Sequence, residues 1–278
     1  MEFAFTDEQL MIKDTAESYL SEVSSSAAIR QAMETELGYD RQQWQSVCSD
    51  LYWQAIHTPE QYGGMALGYV ELVAMQEQMG RFLFCSPFFS TVCLALNSLL
   101  LAATEEQKQH YIPLLLQGKT ATLAFVGSNA ACFGGQWDDE AIEIVAVKNT
   151  EGFRLSGEAR YVIDAASSDY LIVAAKAHRA VNLFIVAADH DGIEVEWLPT
   201  MDQTRKQANL TFHDVQVSSS ALLGGEADAQ QTLSVILNLA TIALAAEQMG
   251  GAQGIMDMAV EYSKERVQFG RAIAGFQA

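Results

Sequence analysis

Tyr262-Ser-Lys-Glu-Arg-Val-Gln-Phe-Gly-Arg-Ala-Ile-Ala-Gly-Phe-Gln-Ala278 closes a long apolar-periodic run, and the rest of the chain is read from it. It predicts a helix end, a break at Gly270 and the start of another segment. Arg266, Gln268, Phe269, Arg271 and Gln277 crowd that break. A guanidinium fork suits a phosphate, and an aromatic ring beside it suits a flat heterocycle. Basic residues at a helix C-terminus also complement the macrodipole, so the stretch alone reads equally as a cap. Upstream, from about residue 227, Leu233, Ile236, Leu237, Ile242, Leu244 and Ala245 build a broad helical face reaching Tyr262 and Val267. Gly250, Gly251 and Gly254 interrupt it, each costing about 1 kcal/mol relative to alanine. Close approach of another helix would compensate; a structural break is the alternative.

Before that helix the period changes. Thr120–Val126, 142–147, 153–157, 170–175, 181–187, 193–197 and 209–215 are short β-like runs, with turn signals at Asn149-Thr-Glu-Gly152 and Asp189-His-Asp-Gly192. Such spacing favours an antiparallel barrel or sandwich. No GxGxxG enters a helix, which argues against a Rossmann unit. Residues 1 to about 118 read as helical. Thr6-Asp-Glu-Gln9 and Thr104-Glu-Glu-Gln107 are capping boxes, and Pro59 with Gly63-Gly64 forces irregular backbone between helices. The expected class is α+β multidomain: an all-α domain at 1–118, a β domain at 119–224 and the start of a C-terminal helical bundle at 225–278.

Sixteen basic residues against 35 acidic give a formal charge of −19, which disfavours nucleic-acid binding. An anionic ligand would need local basic groups, for which Arg160, Arg205, Arg266 and Arg271 are candidates. With half its residues apolar and a mean hydropathy of +0.07, the chain reads as well buried. Cys48, Cys85, Cys93 and Cys132 show no CxxC spacing and read as reduced, mostly buried thiols. The opening Met-Glu-Phe-Ala-Phe-Thr-Asp is unlike a signal peptide, and the longest apolar run, 94–103, is too short to span a bilayer. A soluble, cytoplasmic protein with no metal site is expected.

The motifs, in order along the whole chain, resemble those of the acyl-CoA dehydrogenase family. Arg266-x-x-Phe269-Gly270 followed by Phe276-Gln277 is similar to that family's FAD-contacting signature. His57-Thr-Pro-Glu-Gln-Tyr-Gly-Gly64, Glu77-Gln-Met-Gly-Arg81, Leu155-Ser-Gly157, Tyr161-Val-Ile-Asp-Ala165 and Asp202-Gln-Thr-Arg205 resemble its other stretches. The resemblance implies FAD between the β domain and the C-terminal helices. Phe125, Gly127, Ser128, Tyr161 and Ile163 would lie at the flavin. Arg266, Phe269 and Gln277 would lie at the pyrophosphate and adenosine, usually of a neighbouring subunit.

The implied reaction is α,β-desaturation of an acyl-CoA thioester in fatty acid or lipid catabolism. It combines proton abstraction beside a polarised carbonyl with hydride transfer to the flavin. An electron-transfer flavoprotein or similar acceptor, and a homo- or hetero-oligomer (dimer or tetramer), are implied partners.

The departures bear on function. Gly127-Ser128-Asn129 stands where the family has Thr-Glu-Pro, and Tyr161-Val162-Ile163 where it has Trp-Ile-Thr. The positions of its CoA-binding arginine and nearby aspartate align with Thr241 and Asn238. Most members carry the glutamate base about a hundred residues past Phe-Gln, beyond Ala278, and a minority on the long helix, where Ala240 stands. Glu247, two turns on, reads as a structural or surface residue, and the five histidines share no spacing. The alternative reading is therefore a truncated, non-catalytic flavin- or CoA-binding subunit supporting a complete partner.

Overall fold

The computed structural model describes residues 4–127, 141–177 and 180–276. They form two compact units: Met1–Ile29, Tyr69–Phe84 and Ile242–Ala278 in one, Arg30–Gly68 and Cys85–Thr241 in the other. Seven α-helices occur among the described residues: α1 (Asp7–Val23), α2 (Ser26–Glu34), α3 (Arg41–Ser49), α4 (Tyr69–Arg81), α5 (Asn97–Ala102), α6 (Glu105–Leu116) and α7 (Gln230–Glu265). Both capping boxes form. The Thr6 and Thr104 hydroxyls accept from Gln9 N–H and Gln107 N–H, and the two glutamine side chains accept the cap amides in return. The short helix α2 lacks a matching sequence expectation. Phe89–Leu96 is π-helical and passes into α5.

In the first unit α1 lies along α4, with Gln9 Nε2 donating to Glu71 at 2.8 Å and Lys13 paired with Glu77 at 2.7 Å. α7 runs unbroken for 36 residues, so its glycines mark no break. They meet α4 instead. A Cβ on Gly250 would fall on the Glu77 carbonyl, one on Gly80 would fall on the Glu247 carbonyl, and one on Gly254 would stand 2.9 Å from the Arg81 carbonyl. Arg81 joins Asp257 across the same contact at 2.8 Å. Among the described helices, α7 alone is long and apolar enough to cross a membrane by length and composition, which is weak evidence for a span.

The second unit holds a seven-stranded sheet: β1 (Ala121–Ala124), β2 (Val145–Asn149), β3 (Gly152–Ile163), β4 (Tyr170–Ala177), β5 (Ala180–Ala187), β6 (Ile193–Trp197) and β7 (Gln207–Val217). The path runs β1-β4-β2-β3-β7-β6, with β5 on the other side of β4. The sheet is mixed, correcting the purely antiparallel expectation: β1 and β2 both lie parallel to β4. The long stretch between β1 and β4 contains the β2–β3 hairpin, so the chain can return in the same direction. β3 is also longer than its sequence signal and carries irregular register at Leu155/Gly157 and Ala159/Val162. Phe153, Leu155, Leu171, Val173, Phe184, Leu210 and Phe212 are among the core residues, with the Phe153 and Phe184 rings edge to face at 5.1 Å.

Cys48, Cys85 and Cys93 are buried thiols outside any disulfide, and burial pushes the Cys48 thiol up to about 12 and Cys85 to about 11. Raised pKa values disfavour the nucleophilic thiolate of Cys48 and Cys85 at neutral pH. Cys132 lies outside the described residues.

Candidate functional site

β1 enters the candidate site at its C-terminal end, where Phe125, Val126 and Gly127 follow the strand. Gly127 N–H donates to the Ala141 carbonyl at 2.7 Å, and a Cβ at Gly127 would run into the Glu143 side chain. A larger residue there would have to displace the Glu143 side chain.

β3 approaches the same place through a bulge. Ala159 pairs with Leu210 and Val162 with Ala208, so Arg160 and Tyr161 together oppose the single residue Asn209. The extra residue turns the strand, and Tyr161 takes φ 56 with 59% of its surface exposed. Arg160 N–H then donates to the Val126 carbonyl at 2.6 Å. That bond joins the two segments into one shelf: Phe125–Gly127 on one side, Tyr161 and partly buried Ile163 on the other. Arg160 is held to Glu158 at 2.7 Å, and this partner raises its already high pKa. Ser128, the remaining residue of the expected flavin set, lies outside the described residues.

The shelf suits a flat, largely apolar ring system. It offers an exposed aromatic side chain and a half-buried phenylalanine. No group of three or more metal-ligating side chains occurs among the described residues.

The C-terminal set is built on a different element. After α7, β8 (Val267–Gln268) pairs with β9 (Arg271–Ala272) through the two-residue turn Phe269-Gly270. Both turn residues have positive φ, 50° and 79°. This is the backbone that a tight hairpin needs, with glycine favoured and phenylalanine disfavoured. Phe269 is 94% exposed at the tip. Its ring meets Phe276 edge to face at 6.3 Å, and the Arg271 guanidinium lies 3.9 Å from the Phe276 ring centre. Arg266 is exposed, and its carbonyl accepts from Ile273 N–H at 2.8 Å, closing the hairpin base. Phe276 belongs to the sequence signature, but its stack on Arg271 is a contact that the motif does not encode. Gln277 lies outside the described residues.

On α7, Asn238 and Thr241 are exposed and one turn apart. The Thr241 hydroxyl donates to the Leu237 carbonyl at 2.8 Å. Ala240 beside them is 5% exposed and has no titratable group. Glu247 turns its backbone carbonyl toward Gly80 in the α4–α7 contact within the first unit.

Two domain models of one family match the chain: acyl-CoA dehydrogenase N-terminal domain over residues 6–119, and acyl-CoA dehydrogenase C-terminal domain over 230–278. The acyl-CoA dehydrogenase IpdE2 of Mycolicibacterium smegmatis is 27% identical, the match covering 98% of this chain and 70% of that protein. The mitochondrial short/branched chain specific acyl-CoA dehydrogenase of Bos taurus is 26% identical, over 98% of this chain but 63% of the enzyme. The chain thus spans about two thirds of the length of these relatives. Glutaryl-CoA dehydrogenase from Mycobacterium smegmatis, solved in complex with FADH2, shares the fold at a TM-score of 0.87 and 15% identity, over 98% of this chain and 69% of that one. With the same family matched at both ends and the mixed sheet between them, the chain belongs to the acyl-CoA dehydrogenases.

Proposed function

We propose that this chain forms the FAD-binding part of an acyl-CoA dehydrogenase that desaturates an acyl-CoA thioester between the α and β carbons. The observation that carries the reading is the shelf closed by the Arg160–Val126 bond, with the exposed Tyr161 ring standing on a bulge. Phe125, Gly127, Ser128, Tyr161 and Ile163 would hold the flavin ring there. Arg266, Phe269 and Gln277 would hold the pyrophosphate and adenosine of a neighbouring subunit's cofactor. Bound FAD supplies a hydride acceptor for the acyl β-carbon.

The residues of this chain do the rest by contact and orientation. Tyr161 and Phe125 give the ring apolar contact and exclude water, and backbone groups of the shelf replace the family's threonine hydroxyl. Asn238 is the polar side chain best placed on its turn of α7 for the CoA arm, because Thr241 spends its proton on Leu237. The reduced enzyme would pass electrons to an electron-transfer flavoprotein or similar acceptor, as a cytoplasmic dimer or tetramer.

Ala240 favours a second reading, a flavin-binding subunit that does not itself abstract the proton. A visible spectrum of the purified 278-residue chain, with its solution mass, tests the first step. Flavin bands in an oligomer are expected; a colourless monomer would overturn the cofactor site. Mixing the yellow protein with acyl-CoA and an artificial acceptor tests the second. Background turnover is expected from this chain alone, and fast dehydrogenation would show that another carboxylate serves as base.

A further inference from the structure

The π-helix at Phe89–Leu96 makes two bonds that reach both strands of the shelf. The Thr91 hydroxyl oxygen accepts the Ala121 amide, at the start of β1, at 3.2 Å. The Ser90 hydroxyl donates to Asp164 Oδ2 at 2.6 Å, immediately after the end of β3. Ser90 also lies 3.1 Å from the Pro87 carbonyl, and the shorter distance assigns its proton to the carboxyl group.

Asp164 is an unusual residue at this point. It is 6% exposed and sits at φ 53, a left-handed conformation that non-glycine residues hold only when surrounding bonds enforce it. Those bonds are present. Its amide donates to the Lys206 carbonyl at 2.8 Å, and its own carbonyl accepts from the Ser167 and Ser168 hydroxyls at 3.2 and 2.9 Å. A kink held this way fixes the direction of the three preceding residues, which include Tyr161 and Ile163. π-Helical turns are rare, and those that occur are frequent at functional sites. Here the turn puts the adjacent side chains Ser90 and Thr91 on two different strands.

We infer that Ser90 is a positioning residue for the flavin: through the buried Ser90–Asp164 hydrogen bond, the π-helix holds the Tyr161–Ile163 half of the shelf in register with the Phe125–Gly127 half. The inference rests on the flavin reading above. It is tested with Ser90→Ala and Ser90→Thr in the full chain, reading the FAD dissociation constant, the position of the visible flavin bands and the reduction potential of the bound flavin. Thermal midpoints are measured without FAD. Ser90→Ala is expected to weaken FAD by about tenfold and shift the bands and potential. Ser90→Thr, which keeps the hydroxyl, should restore all three.

A Ser90→Ala protein with a lower melting temperature but unchanged affinity, bands and potential would overturn the inference and leave the flavin site intact. If the wild-type chain takes up no FAD, both readings fall together. Should removal of the hydroxyl prevent folding, Ser90→Cys, nearly isosteric and a much weaker donor, is read against wild type with the same two outcomes.

Discussion

Phe269 shows how a single residue can carry a functional signal against its own conformational preference. A bulky ring at φ 50, almost wholly exposed, is unfavourable for folding and makes sense as a contact surface. Arg266 lies exposed just before this hairpin. Arg266→Ala is therefore expected to lower FAD occupancy several-fold while leaving the sheet unit's thermal unfolding unchanged. Occupancy by absorbance ratio, followed in parallel with circular dichroism, checks both halves.

His57 is one residue whose titration bears on stability. Burial, the larger cause, pulls its pKa below 6.5, and the 2.9 Å bond to Asn97 Oδ1 opposes that only in part. Asn97 donates its own Nδ2 to the Cys93 carbonyl, so its Oδ1 accepts and His57 carries its proton on Nε2. The unfolded histidine takes up a second proton first. Stability from His57 is thus complete above about pH 6.5 and falls as pH drops from there toward the lower folded value, by at most about 1.4 kcal/mol per unit. Urea unfolding at pH 7.5 and 5.5 should show this loss, and His57→Gln should flatten it.

Among the elements, the α4–α7 contact is the most sharply constrained. Gly250 and Gly251 are neighbours in one helix, with similar intrinsic helix penalties, but they face different surroundings. A Cβ at 250 collides with the Glu77 carbonyl, whereas a Cβ at 251 stands 3.5 Å from the nearest atom, the Gly80 carbonyl. Gly250→Ala is expected to destabilise by about 1–3 kcal/mol through overpacking. Gly251→Ala should be neutral or stabilising by up to about 1 kcal/mol. Equal effects in denaturant melts would mean the helices do not approach this closely. The α6 capping box has a second use that its four-residue motif does not encode. Gln107 Nε2 also donates to the Ser220 and Leu222 carbonyls, at 2.9 and 2.8 Å, tying the helix start to the segment after β7.

For the whole molecule, a charge of −19 sets a repulsive long-range field for a dinucleotide or a CoA thioester. Local arginines hold such a ligand once it arrives, but approach is governed by the field. The association rate of FAD with apo-protein is therefore expected to rise when salt increases from about 0.01 to 0.15 M, as screening shortens from roughly 30 to 8 Å. A stopped-flow series that shows the rate falling would place attractive charge at the entrance instead.

Local chemistry made the helix–sheet–helix order, both capping boxes, the β2–β3 turn and the Phe269-Gly270 break legible in the sequence, because each depends on residues within a few positions. The family motifs were legible for the same reason, since Arg266-x-x-Phe269-Gly270 fits within one turn. The parallel pairings of β1 and β2 with β4 were not, because they join strands far apart in sequence whose apolar patterns fit either direction. Nor was the geometry of the shelf, which depends on one inserted residue at Arg160–Tyr161 and one amide reaching Val126. The sequence determined most of the helix and strand segments and which family they serve, though not α2 or the π-helical run. The tertiary structure alone decided which glycines must remain glycine and which buried hydroxyl latches the shelf, because both depend on backbone groups brought close only by packing.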